Sequence, residues 1–136
     1  MEQGIRVSVD GLTMHAVLLD DVAPKWSSAL RELLPLEGVL RCFRWGGEAA
    51  YFLEHRLVKM GDLIENPVTF YPRMSICIRP SLEVVFPYGQ AQARSLTIPA
   101  AYACHVADLE GDRQEWTALL RSLSRSGERR IGMTLA

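Results

Sequence analysis

With 136 residues, 49% of them apolar and 23% charged, the chain has the make-up of one globular domain spanning residues 1–136. Lys and Arg number 15 against 16 Asp and Glu, a formal net charge of −1, so charge gives no reason to expect nucleic acid or an anionic membrane as partner. No stretch approaches the ~20 apolar residues of a membrane span, and "MEQGIRVSVDG" lacks the apolar core of a signal peptide. The expected compartment is the cytoplasm. There Cys42, Cys77 and Cys104, odd in number and set among apolar neighbours, read as reduced, small buried hydrophobes.

Ile5, Val7 and Val9 alternate with polar residues, the pattern breaks at Asp10-Gly11, and it resumes through Leu12, Met14, Ala16 and Leu18. Alternation on both sides of Asp-Gly predicts a hairpin with a two-residue turn. Val22, Trp26, Ala29, Leu30, Leu33 and Leu34 then recur at helical spacing, with Asp20 or Asp21 near the start, Pro24 in the first turn and Pro35 as the stop. Residues 38–45 and 48–53 read as a second hairpin around Gly46-Gly47. Residues 54–73 lack clean periodicity and contain Gly61, Pro67 and Pro72, which predicts a long loop with at most one short element. "MSICI" and "LEVVF" are two strands around Arg79-Pro80-Ser81, and residues 87–109 are loop followed by strand.

Asp112 and Glu115 have capping-box spacing, ahead of a helix whose buried stripe is Trp116, Leu119, Leu120 and Leu123 and whose end is Gly127. The basic run at 121–130 reads as a solvated helix end, and "RRIGMTLA" as a closing strand with Ile131, Met133 and Leu135 on one side. Trp26 and Trp116, both in helical stripes, are expected in the core. Many short strands with one early and one late helix predict an antiparallel barrel or curled sheet capped by helices, with an open α+β sandwich as the alternative.

The glycine turn concentrates the chemistry. A two-residue turn at Gly46-Gly47 pairs Trp45 with Glu48, Arg44 with Ala49, Phe43 with Ala50, Cys42 with Tyr51 and Arg41 with Phe52. Both faces are then largely apolar with an arginine on each, and a buried charge must snorkel, pair or face a wet pocket. Glu48, beside an indole, is placed to act as an acid or to accept the guanidinium of Arg41 in a pair that seals a barrel rim. His15, His55 and His105 are far apart, so no metal site is expected; adjacent Cys104 and His105 would point to opposite faces of a strand. No Walker loop, G-x-G-x-x-G or G-x-S-x-G occurs, and no cofactor is expected.

The order of elements and "APKWSSALRELLP" after the first hairpin resemble the cyclophilin-like fold, a closed β-barrel capped by two helices. "RWGGEAAYFLE", then "ENP", then "YPRMSICIRPSLEVVFPYG" resemble a bacterial cyclophilin-like family of unknown function, over about residues 5–135. That resemblance implies a barrel-mouth pocket gathering Arg44, Trp45, Glu48, Glu65, Asn66, Tyr71 and Tyr88. Glu48 as acid/base and Arg44 as anion clamp would carry any catalysis, and the others would bind a small polar or carboxylate-bearing molecule. Whether the arginine facing the pocket is Arg44 or Arg41 stays open. A second reading is a peptidyl-prolyl isomerase-like enzyme with Arg44 on the matching strand, although "WGGEAAYF" lacks the glutamine that precedes the glycines of true cyclophilins. A third is a non-catalytic interaction module or homo-oligomer pairing through exposed strand edges.

Overall fold

The computed structural model describes residues 4–43, 47–60, 62–93 and 102–136. Strands β1 (Ile5–Val9) and β2 (Leu12–Leu18) form the expected hairpin, Val9 facing Leu12 across Asp10 and Gly11. Both turn residues have positive φ, 48° and 81°, the combination a tight twisted hairpin requires and Asp-Gly supplies at little cost. Helix α1 (Pro24–Leu33) buries Trp26 and Leu30. Val22, expected in that stripe, lies before the helix and is half exposed. Asp20 does not cap α1; it holds Arg31 in a two-pronged bond at 2.6 and 2.9 Å, and that hydrogen-bonded guanidinium keeps its carboxyl below the usual range.

Strands β3 (Leu36–Cys42) and β4 (Gly47–Leu53) follow, then a 3-10 helix (His55–Met60) and the two-residue β5 (Pro67–Val68), so the long loop carries two short elements. After β6 (Ser75–Ile78), β7 runs from Glu83 to Ala91, well past the Phe86 limit that Pro87 suggests. Pro87 is tolerated because it faces Ala49 beside a β-bulge between Gly47 and Ala49, where the regular ladder is already interrupted. The last elements are β8 (Ala103–Glu110), α2 (Arg113–Ser126) and β9 (Arg129–Leu135). Asp112 caps α2 by accepting the Glu115 N–H at 3.0 Å, and Gly127 ends it at φ 83°.

All pairings are antiparallel, in the order β2-β1-β9-β3-β4-β7-β6-β8, and β8 pairs back onto β2. Eight strands therefore close into a barrel, with β5 added at the start of β8. The inner face carries Val7, Met14, Leu40, Phe52, Ile76, Phe86, Val106 and Met133, and both helices pack onto it through Trp26, Leu30, Trp116 and Leu120. Phe86 stacks on Phe52 and meets Trp116 edge-on at 6.1 Å. A second, smaller cluster of Phe43, Ala49, Tyr71, Cys77, Val85 and Ala93 lies on the opposite face of β4, β6 and β7. Among the described residues no helix is long and apolar enough to cross a membrane.

The β3–β4 register differs by one residue from the two-residue-turn expectation. Arg41 faces Tyr51 and Cys42 faces Ala50, and the Phe43 N–H donates to the Ala49 carbonyl at 2.9 Å. A one-residue slip moves side chains between faces. Here it places Leu40, Ala50 and Phe52 inside, and Phe43, Ala49 and Tyr51 outside. Because both faces are apolar in either register, alternation could not choose between them.

Candidate functional site

Glu48 sits at the start of β4, on the strand face that also carries Ala50 and Phe52. Its Oε1 accepts the Gln90 N–H at 3.1 Å, and its Oε2 accepts a bond from Arg121 of α2 at 3.2 Å. The carboxylate lies flat on the β7 backbone at Gly89, where a built methyl group would overlap it. Any larger residue there would push Glu48 away. The Arg121 guanidinium stands 5.8 Å from the centre of the Tyr88 ring, a cation–π distance. Burial, and then the neighbouring Cys42 and Glu48, push the Tyr88 hydroxyl above its ordinary range, so it remains a neutral donor at physiological pH. Cys42, expected to be buried, is half-buried here, unlike Cys77 and Cys104.

The remaining expected site residues do not join this group. Helix α1 follows the C-terminal end of β2 and α2 follows that of β8, and these strands are antiparallel neighbours, so the helices lie at opposite barrel ends. Glu65 belongs to the α1 end: its carboxylate accepts the Lys25 and Trp26 N–H groups at 3.0–3.2 Å. It is the N-terminal cap that α1 lacks in its own sequence. Asn66 takes positive φ and ties its amide and carbonyl to the His105 backbone at 3.0 Å each. Tyr71 is buried in the outer cluster, where burial raises its hydroxyl well above the usual range and no described residue bonds it. The expected convergence of Glu65, Asn66 and Tyr71 with Glu48 and Tyr88 is thus corrected, because those three groups serve a helix end, a strand edge and a second core. Arg44 and Trp45 lie outside the described residues.

Arg41 does not pair with Glu48; it is exposed and bonds Glu128 at 3.1 Å. In its place stands Arg121, which the sequence reading assigned to a solvated helix end. A local hint existed: Arg121 adjoins Leu120 on the flank of the buried stripe. Its partner is 73 residues away, and no short pattern can encode that.

Cys104 faces the core and His105 the other side of β8, as adjacent strand residues must. His105 Nε2 lies 2.8 Å from Asp108 Oδ1. Cys77 faces His105 across the β6–β8 pair, but burial pushes its thiol up to about 12, so it is not a ready nucleophile.

Replacing Glu65 with alanine should cost about 1 kcal/mol, the usual worth of a cap, because two N–H groups at a helix start lose their acceptor. Urea unfolding checks this, and a loss below about 0.3 kcal/mol would mean water replaces the cap without penalty.

No family model matches the chain, and no curated protein sequence is similar to it. Its fold is similar to that of McbB, solved in complex with tryptophan, with a TM-score of 0.75 and 15% identity over 96% of this chain and 44% of the McbB chain. It is also similar to the hypothetical protein AF2241 from Archaeoglobus fulgidus, solved in solution, with a TM-score of 0.67 and 15% identity over 99% of this chain and 95% of that one. The chain spans less than half the length of McbB, and at 15% identity both likenesses establish the barrel fold alone.

Proposed function

We propose that the chain is a cyclophilin-like barrel that binds a small polar or carboxylate-bearing molecule at its α2 end, beside Glu48. One observation carries this reading: a carboxylate fixed over Gly89, a guanidinium and a half-buried tyrosine ring share that end of the barrel. An aromatic ring supplies an apolar wall with a polar tip, and paired charges orient a small ligand. Arg121 takes the ligand's anionic group. Arg44 and Trp45, four and three positions before Glu48, stay in the proposed set as the sequence expects them, a cation and an aromatic residue. If the bound molecule is turned over, Glu48 is the acid or base.

The test is a thermal-shift screen of wild type, Glu48→Gln and Arg121→Gln against small carboxylates and amides. Tryptophan, the molecule bound in McbB, belongs in the panel. A ligand at ~100 times its dissociation constant adds about 2.7 kcal/mol, enough to raise the midpoint by several degrees. The expected result is a shift with a carboxylate that Arg121→Gln abolishes. No shift with any compound, or an equal shift in Arg121→Gln, would overturn the reading.

A further inference from the structure

We infer that the ligand of the α2 end is a zwitterion, carrying an ammonium and a carboxylate on the same carbon; this rests on the reading just given and narrows its ligand class. The recognising charges are one of each sign in direct contact, Arg121 Nη2 lying 3.2 Å from Glu48 Oε2. A ligand bearing only a carboxylate gains Arg121 but meets the repulsion of Glu48. One bearing only an ammonium gains Glu48 and meets Arg121. A molecule whose opposite charges are one carbon apart can set its carboxylate on the guanidinium and its ammonium on the glutamate. The four charges then alternate around a small ring with no like pair adjacent.

The geometry leaves room for both new bonds. The Arg121 and Glu48 side chains are 58% and 45% exposed, so each can be approached from solvent without unfolding the barrel end. Among the described residues Glu48 Oε1 accepts one bond from Gln90 and Oε2 one from Arg121, while an ionised carboxylate has about four acceptor positions. Arg121 has five N–H donors and spends one of them on Glu48 among the described residues. The backbone of Gly89 and the Gln90 N–H hold the glutamate in place before any ligand arrives, which lowers the ordering cost of binding. Tyr88, beneath the guanidinium, and Cys42 beside it offer an apolar surface to the rest of the ligand.

Titration calorimetry with three probes of one skeleton tests this: phenylalanine, 3-phenylpropionate, which lacks the ammonium, and phenethylamine, which lacks the carboxylate. Phenylalanine should bind at least ten times tighter than either. In Glu48→Gln its advantage over 3-phenylpropionate should disappear, while 3-phenylpropionate itself binds no worse than to wild type. If 3-phenylpropionate equals phenylalanine in the wild type and the ratio is unchanged in Glu48→Gln, the zwitterion inference falls and the carboxylate site stands. Phenethylamine binding tightest also overturns it. If none of the three binds, the inference is overturned, and the carboxylate-site reading then survives only if the wider panel gives a shift that Arg121→Gln removes.

Discussion

Trp116→Ala is expected to destabilise the protein by about 3–5 kcal/mol, lowering the thermal midpoint by about 10–20 °C. Trp116 is fully buried and is the main plug that α2 sets into the barrel, where its ring meets Phe86, which in turn stacks on Phe52. Removing it leaves a void bounded by β-sheet on several sides. A closed sheet cannot collapse onto a missing plug as a loop can, so the cavity cost is retained almost in full. Urea unfolding of Trp116→Ala and Trp116→Phe would measure this, the phenylalanine recovering part of the loss. A cost near 1 kcal/mol for alanine would mean that α2 shifts inward to fill the space, and the α2-end geometry around Glu48 would then be adaptable as well.

Arg79→Ala is expected to cost a similar 3–5 kcal/mol, for an electrostatic reason. Arg79 and Glu83 form a pair at 2.6 Å with both side chains 7% exposed, and the guanidinium stands 5.0 Å from the Phe43 ring centre. Losing the arginine strands the Glu83 carboxylate in a poorly solvated site, with the Ser81 hydroxyl as one remaining partner. The double replacement Arg79→Met with Glu83→Leu removes both charges, keeps most of the volume, and should recover most of that stability. A double-mutant cycle in urea decides the matter. If the double variant is as unstable as Arg79→Ala, the pair is needed for more than mutual neutralisation, and its backbone turn is the next suspect: the Arg79 and Leu82 N–H groups bond Glu83 and Arg79 carbonyls there.

How much was legible in the sequence depended on how local each signal was. The Asp10-Gly11 hairpin and the Asp112 cap of α2 each span a few residues, and each matches its expected geometry. The β3–β4 register was not readable, because a hairpin apolar on both faces carries no preference for one pairing over the next. The full length of β7 was hidden by Pro87, whose usual meaning is set aside by the register break beside it, where Tyr88, Gly89 and Gln90 of β7 stand opposite Glu48 alone. The candidate site was half legible. Glu48 and Tyr88 were singled out and do lie at one barrel end, whereas Glu65 turned out to cap a helix 40 positions upstream, and Arg121 came from an element taken as solvent-facing. Polar residues in a glycine-rich or proline-rich stretch look alike whether they serve a ligand or a distant backbone group, since both uses need the same acceptor atoms.

The place of β9 in the sheet bears on how the chain acquires its structure. The last strand lies between β1 and β3, two of the first three, so during synthesis everything through α2 emerges before the sheet can close. Until then β1 and β3 each expose an unpaired edge on either side of a vacant lane, a template for any extended segment of another chain. Closure by the final strand satisfies both edges at once, and the long sequence separation of those pairings places the fold among slowly forming topologies. Nascent or truncated chains ending before Arg129 should therefore be the aggregating species, while the finished barrel has no such open lane.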